Sequence, residues 1–409
     1  MSGAERAPRA DTDLAASGAG GVWQARYFWV TLGAVAMIFL AATQTLAVTT
    51  VMPLVATDLG GDALYAVAFS GTLATSIIGM VAVGAWCDRR DPVLPLATSV
   101  ALFVAGLVIA GSAPSMEVLV LGRLLQGLGT GGQTVALYVV VARVYPPALH
   151  GRVFAAFSAA WVIPSIVGPL LAGFVAEQLH WRWVFFGVAV LTLVAFTMVY
   201  LRLRGLTLRI DDPGHAPVAR RLALASVVAA GSLALSLAGE AGAWTGVVVV
   251  VALIAIALAI RPLLSPGTLR ARRGLPSVVL MRALIAGALF GAEIYVPYLL
   301  IDEYGFSATA AGFGLTAAAL LWAAYSTPQN QGFNSSALSI SDSIGAAASI
   351  AVMGLTFVAL KATDASFPAV FLIAAALAVL AVVPGLRMGR VAEAGPADGA
   401  VTGPATVAD

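Results

Sequence analysis

Cysteine, histidine and charge are all scarce in this chain of 409 residues, and each scarcity excludes a class of protein. The single cysteine, Cys87, rules out an intramolecular disulfide. Three histidines, His150, His180 and His215, stand apart without the spacing of metal ligands. No glycine-rich loop followed by Lys-Ser/Thr is present, which argues against direct coupling to ATP. We therefore expect no metal and no other cofactor.

Only 10% of the residues are charged, whereas 60% are hydrophobic, a balance that a soluble domain of this length does not tolerate. A bilayer core needs about 20 apolar residues per helical span. The apolar runs are continuous and about twice the length of the strands of a membrane barrel. The sequence thus predicts an all-α membrane protein with about twelve spans, beginning near Phe28, Ala66, Leu94, Val118, Phe154, Val184, Leu222, Thr245, Val278, Ala308, Ala337 and Pro368.

The cationic residues are distributed unevenly between the two sides of these spans. If the first span runs outward, only Arg182 and Lys361 lie outside. The positive-inside rule then places both termini in the cytoplasm. Lys361 is the only lysine among many arginines, which indicates a GC-rich bacterial genome and hence a multi-pass protein of the inner (plasma) membrane. The arginines predicted inside include Arg89, Arg90, Arg143, Arg152, Arg202, Arg204, Arg209, Arg220, Arg221, Arg261, Arg270, Arg272, Arg273, Arg387 and Arg390.

A polar, proline-containing stretch at 202–221 reads as a cytoplasmic linker that divides the spans six and six. It separates an N-terminal six-helix bundle, 26–201, from a C-terminal helical bundle, 222–390. The ends, 1–25 and 391–409, are rich in small and polar residues and are predicted to be disordered cytoplasmic tails.

The connection between the second and third spans contains a glycine followed by charged residues. Gly84 would let another helix approach closely, and Asp88 and Arg89 could latch two helices on the cytoplasmic side. The alternative is a solvated loop whose arginines only follow the positive-inside rule.

Two ionisable residues fall inside apolar runs, where a functional role is the default interpretation. Arg123 lies in span four, although Glu117 shows that the surface is only about two turns away, so the side chain could instead snorkel. Glu293 lies in span nine, with Arg282 about two to three turns nearer the cytoplasm. It could carry a proton, or it could be a wetted residue near Asp302.

Span five contains Pro164-Ser-Ile-Val-Gly168-Pro169-Leu-Leu-Ala-Gly173. The prolines remove backbone donors, and the small residues form a face for close helix packing. Taken alone, this pattern is more typical of ordinary packing than of function.

Together, Gly84 to Arg89, Arg123 to Gly129 and Pro164 to Gly173 resemble the loop, span-four and antiporter motifs of the major facilitator superfamily. Trp181 to Phe186 and Thr50 to Pro53 are similar to its fourteen-span drug:proton antiporter branch. The resemblance covers nearly all of the first 200 residues. It implies a proton-coupling role for Arg123 and a gate or conformational motif made of Gly84, Asp88, Arg89, Gly168, Pro169 and Gly173.

The chain departs from that pattern in the loop motif, in the antiporter motif and in span one, which has Thr43, Gln44 and Thr45 where many drug antiporters carry an acidic residue. Asp91, Pro92 and Val93 replace the glycine and basic residues that usually continue the loop motif, and Pro164 replaces the first glycine of the antiporter motif. The segment 222–264 could be an inserted helix pair. On that interpretation two spans are missing near Tyr325, and the competing interpretation is an ordinary twelve-span bundle.

The predicted function is proton-coupled efflux of small amphiphilic or lipophilic molecules by alternating access. The partners expected are a small-molecule substrate, protons and membrane lipid, with no nucleic acid. The alternatives are uptake or facilitated diffusion of a specific metabolite, and an inactive or non-transporting protein if two helices are missing. An enzyme is not expected, because the short loops lack paired acids, clustered histidines or a metal site. The predicted cavity residues are Gln44, Gln126, Gln133, Tyr138, Trp161 and Tyr295, with Glu293 and Arg123 for proton coupling.

Overall fold

The computed structural model describes residues 21–61, 64–204, 218–264, 266–313, 315, 335–361, 363 and 365–387. Within this part, 11 helices are long and apolar enough to cross a membrane, which confirms the helical membrane fold. The helices are α1 (Phe28–Leu59), α2 (Tyr65–Cys87), α3 (Val93–Gly111), α4 (Met116–Val144), α5 (Pro147–Gln178), α6 (Arg182–Leu203), α7 (Val218–Ser236), α8 (Thr245–Leu263), α9 (Leu275–Glu293), α10 (Tyr295–Asp302), α11 (Ser335–Leu360) and α12 (Ser366–Leu386).

The tenth predicted span begins near Ala308, where residues 308–313 are helical, and continues outside the described residues. The predicted tails lie almost entirely outside them as well. Helix α7 begins at Val218 and α6 ends at Leu203, so both helices extend into the predicted linker 202–221. The predicted span begins near Leu222, after the observed start of α7, because the first turn of α7 carries the charged residues Arg220 and Arg221.

The N-terminal half, α1–α6, is held together by helices that approach very closely. Helix α1 packs along α5 and α6, and α4 packs between α2 and α3. A Cβ atom at Gly131 of α4 would overlap the carbonyl oxygen of Ser76 of α2. Membrane helices gain stability from such small-residue contacts because lipid supplies no hydrophobic driving force between them.

The C-terminal half repeats part of this plan, since α9 packs along α11 and α12 as α1 packs along α5 and α6. The halves meet where α2 packs against α11, and where Gly173 of α5 contacts Ala308 and Thr309. Helix α7 packs on both α2 and α11, and α8 packs on α7. We call the side of the molecule that carries Arg89 and Arg143 the arginine-rich side.

Candidate functional site

A cavity of about 40 Å³ lies between the two halves, nearer to the helix ends that face away from the arginine-rich side. Three residues of the wall are threonines, and two are the ionisable residues that the sequence places inside apolar runs. The volume suits one ordered water or a comparably small group. The wall is formed by Thr45, Thr49, Phe69, Thr72, Leu73, Arg123, Phe290, Glu293, Ile294 and Ile350.

Arg123 reaches this cavity from α4 and is only 3% exposed. Its Nε donates to the Ala68 carbonyl at 3.2 Å, and its Nη1 donates to Oε1 of Gln126 at 2.7 Å. The guanidinium is therefore directed inward and does not snorkel to the membrane surface. Its hydrogen-bond partners in the described part of the chain are neutral, so its charge is not balanced by a carboxylate there.

Glu293 reaches the same cavity from the C-terminal half, at the last residue of α9. The helical hydrogen bonding is interrupted at Ile294, whose backbone stays helical with φ −68° and ψ −24°, and α10 follows from Tyr295. Pro297 explains the position of the break, because proline has no N–H to donate to the Glu293 carbonyl four residues earlier. Glu293 and Arg123 thus face one space from opposite halves, without forming an ion pair in the described structure.

A cluster of buried aromatic side chains lies at the helix ends opposite the arginine-rich side. Tyr65 of α2 donates through its hydroxyl to the Ile294 carbonyl at 2.7 Å, directly beside Glu293. Its ring lies 5.0 Å from that of Tyr298, which in turn lies 5.3 Å from the ring of Phe357. The cluster joins both halves and contains Tyr65, Phe69, Tyr295, Tyr298, Phe357 and Phe367.

Arg282, on the same helix as Glu293, pairs with Asp342 of α11 through two parallel contacts, one of which is Nε to Oδ1 at 3.0 Å. The side chains are 45% and 24% exposed, and both residues belong to the C-terminal half. Sequence reasoning missed Asp342. The available signal was its position as an acidic residue in an apolar span, which is a functional candidate by default.

The three predicted glutamines lie in the N-terminal half, but none of them lines the cavity directly. Gln126 contacts it through Arg123, and Gln133 donates to the Met37 carbonyl at 3.2 Å. Gln44 is fully buried, and neither of its side-chain polar atoms has a hydrogen-bond partner in the described structure. Gln126 is therefore the glutamine placed to influence the site.

The three predicted aromatic residues are spread over different regions. Tyr295 is buried in the aromatic cluster, beside the cavity. Tyr138 packs against Phe154 and Phe157, with ring centroids 5.5 Å and 5.9 Å apart. Trp161 is 41% exposed on α5 and does not line the cavity.

The proposed gate residues show a different geometry from the one expected. A Cβ at Gly84 would meet only Val135 at 3.5 Å, and one at Gly168 would meet nothing nearer than 3.9 Å, so neither glycine is required for a close approach. Gly173 is required for a close approach, because a Cβ there would lie 2.7 Å from the backbone of Ala308. Pro169 is also approached closely, by Gly312.

On the arginine-rich side, Asp88 and Arg89 are exposed at the end of α2. The loop is fastened to α4 by Arg143, whose Nη2 donates to the Cys87 carbonyl at 2.6 Å. Asp91 accepts from the backbone N–H of Val93, the first residue of α3, at 2.9 Å. Arg143 and Asp91 are thus the residues that hold the α2–α3 loop.

Residues 34–326 match the family model of the Major Facilitator Superfamily. An uncharacterised MFS-type transporter of Mycobacterium tuberculosis is 30% identical over 67% of this chain and 41% of its own length. Multidrug resistance protein 3 of Bacillus subtilis is 26% identical over 72% of this chain and 59% of its own length. Efflux pump FUS6 of Gibberella moniliformis is 29% identical over 56% of this chain and 41% of its own length. The chain thus spans less than two thirds of these curated relatives.

Among solved structures, the peptide transporter POT in complex with alafosfalin aligns with 88% of this chain and 95% of its own, at 15% identity and a TM-score of 0.54. The POT family transporter PepTSo aligns with 87% of this chain and 97% of its own, at 12% identity and a TM-score of 0.50. At these identities the likeness concerns the fold alone.

Proposed function

Because the chain belongs to the Major Facilitator Superfamily, we propose that it exports small amphiphilic or lipophilic molecules in exchange for protons, by alternating access. We place it in the plasma membrane of a bacterium, with both termini in the cytoplasm, on the distribution of its arginines.

One observation carries this proposal: Arg123 and Glu293, from opposite halves, line a single cavity. A carboxyl group at the boundary of two moving halves can take up a proton from one side and release it to the other. A proton and a cationic substrate compete for the same carboxylate. This competition couples the two fluxes, because Glu293 holds either one or the other.

The aromatic cluster supports the gating step. It closes one side of the cavity, and the Tyr65 hydrogen bond to Ile294 lies one residue from Glu293. A change of charge at Glu293 therefore acts one residue from the hydrogen bond by which Tyr65 joins the N-terminal half to the C-terminal half. Pro297 leaves the backbone there without one helical hydrogen bond, so α9 and α10 can change their angle at low cost.

The relatives called a multidrug resistance protein and an efflux pump favour export of varied molecules over uptake of one metabolite. The cavity of about 40 Å³ is too small for such a substrate, so the threonines and the two phenylalanines of its wall would contact one only after the halves separate.

The test is efflux of a lipophilic cationic dye from vesicles with an imposed proton gradient. We expect gradient-dependent efflux by the intact chain and at least a tenfold loss with Glu293→Gln and with Arg123→Ala, at equal membrane levels. Glu303→Gln is the matched control, since this carboxylate lies ten residues further on, outside the cavity. Full efflux by both cavity variants would refute the assigned roles, and flux in the inward direction would indicate uptake instead.

A second candidate is a protein that does not transport. In the described residues, no helix of the C-terminal half packs as α3 and α4 pack in the N-terminal half. The family match ends at residue 326, next to Tyr325, where one of the two interpretations of the sequence places two missing spans. Absence of any flux by the intact chain across a panel of dyes and metabolites, at normal membrane levels, would favour this candidate.

A further inference from the structure

A space larger than the Arg123–Glu293 cavity lies away from it, on the outer surface of the N-terminal half. It is a groove of about 500 Å³ between the first turn of α1 and the last turns of α6. Its wall is formed by Trp29, Val194, Thr197, Met198, Leu201 and Arg202. Both contributing helix ends belong to the arginine-rich side, so the groove opens near the membrane surface on that side.

The floor of the groove is set by a tight helix contact. A Cβ at Gly33 of α1 would lie 2.6 Å from Val199 and 2.7 Å from the Ala195 carbonyl of α6, so the helices touch there. One turn earlier on α1, Trp29 is 41% exposed and flanks the space beyond the contact. The groove therefore has a rigid inner end at Gly33 and an open rim at Trp29.

Two hydrogen-bond donors stand at this rim. Neither the Arg202 guanidinium nor the Trp29 indole N–H makes a hydrogen bond or an ion pair in the described part of the chain. Both donors sit where a bilayer places its headgroups, since tryptophan and arginine concentrate at membrane interfaces. The rim thus offers one full positive charge and one neutral donor to a negatively charged group.

Below the rim the wall is mainly apolar, and the hydroxyl of Thr197 is already bonded to the Leu193 carbonyl of its own helix. Val194, Met198 and Leu201 continue the groove toward the membrane interior. Eight residues separate Arg202 from Val194, which corresponds to about 12 Å along α6 at 1.5 Å per residue. A polar, cationic rim above an apolar channel of this length matches an amphiphile with a negative head and a hydrocarbon chain.

We propose that this groove binds one anionic phospholipid from the leaflet on the arginine-rich side. The phosphate accepts hydrogen bonds from Arg202 and from the indole N–H of Trp29, and one acyl chain lies along Val194, Met198 and Leu201. The charge of the headgroup favours an anionic lipid. The ammonium of a zwitterionic lipid would lie near the cationic Arg202, whereas a glycerol headgroup leaves the negative charge of the phosphate free to pair with it.

The test uses the full chain in nanodiscs of phosphatidylcholine that contain increasing fractions of brominated phosphatidylglycerol, which quenches nearby tryptophan. The chain has 8 tryptophans, so the signal of Trp29 is obtained by subtracting the Trp29→Phe variant. We expect the Trp29 signal to be quenched with saturation at low phosphatidylglycerol fractions. Arg202→Gln should require about tenfold more lipid, the loss expected for one charge-assisted hydrogen bond.

Arg204→Gln is the matched control, because this neighbouring arginine is exposed but does not line the groove. Equal quenching by brominated phosphatidylcholine, or equal effects of Arg202→Gln and Arg204→Gln, would overturn the proposal. Displacement by millimolar inorganic phosphate would also overturn it, since the site would then bind a free anion. All variants are first compared by size-exclusion profile and helical circular dichroism, and lipid counting by native mass spectrometry gives a second readout that does not depend on Trp29.

Discussion

Helix α1 packs along α5 and α6, and α9 packs along α11 and α12 in the same arrangement. The N-terminal half adds α3 and α4, which no helix of the described C-terminal residues matches. Arg123 comes from α4, whereas Glu293 comes from α9, the counterpart of α1. The cavity is therefore asymmetric, because Arg123 lies on α4, which has no counterpart among the described residues of the C-terminal half.

The two seams between the halves differ as well. At one seam α2 packs against α11, and α7 covers both. At the other seam α5 meets residues 308–312, where Glu177 accepts from the backbone N–H of Thr309 at 2.8 Å. Helix α7 packs more extensively against α2 than against α11. We therefore expect α7 to move with the N-terminal half when the seam opens.

The largest expected effect comes from locking one seam. In a Cys87→Ala background, Ser76→Cys with Ser343→Cys would join α2 to α11 across the halves, where the two hydroxyl oxygens are 3.4 Å apart. Oxidation should abolish dye efflux, and a reducing agent should restore it, because alternating access requires the halves to separate. The measurement is efflux before and after reduction.

The matched control joins α2 to α7. Ser70 and Ser236 have hydroxyl oxygens 2.7 Å apart. Oxidation of the Ser70→Cys and Ser236→Cys pair should leave most of the efflux intact if α7 moves with α2. Equal inhibition by both cross-links would contradict the assignment of α7 to the N-terminal half.

A smaller effect is expected from filling the tightest helix contacts. Gly131→Leu places a side chain against the carbonyl of Ser76, and Gly345→Leu places one against that of Ala283 in the C-terminal half. Overpacking against backbone costs about 1–3 kcal/mol or more, so both variants should lose folded protein. Thermal stability in detergent is the measurement. Gly187→Leu is the control, because nothing lies within 4 Å of a Cβ there.

The comparison would break if the two glycines behaved differently. If Gly345→Leu kept its thermal stability while Gly131→Leu lost it, α9 and α11 would be more loosely packed in solution than α2 and α4. Equal destabilisation would support one packing plan in both halves.

The smallest expected effect concerns single hydrogen bonds. Tyr65→Phe removes the bond to Ile294 across the halves, and Tyr145→Phe removes the 2.8 Å bond to Thr31 within the N-terminal half. Each should lower the free energy of unfolding by about 1 kcal/mol. Only Tyr65→Phe should loosen the gate, which we expect as a severalfold faster reaction of a Thr49→Cys cavity probe with a membrane-impermeant thiol reagent. Equal labelling in both variants would remove Tyr65 from the gate.

Helix starts show how far sequence reasoning reached. The predicted starts at Phe28 and Thr245 coincide with those of α1 and α8. Span five was predicted to begin near Phe154, whereas α5 begins at Pro147. Hydropathy missed these two turns because they carry His150 and Arg152, although proline at the first helical position is itself a start signal.

The candidate site was predicted only in part. Arg123 and Glu293 could be selected singly, because a charge inside an apolar run is rare. The cavity that they share could not be predicted, because it brings together residues 170 positions apart on separate helices. For the same reason the pairing of Arg282 with Asp342 could not be predicted, because α11 brings Asp342 alongside from 60 positions away in the chain.

Residence in a membrane, the helical class and most helix positions follow from the length of each apolar run, which is a local property of the chain. The cavity, the aromatic cluster and the groove between α1 and α6 depend on how each helix is rotated against its neighbours. Those rotations are set by contacts such as Gly131 with Ser76 and Gly33 with Val199, between residues far apart in the chain. No local pattern encodes them, and only packing brings such residues together.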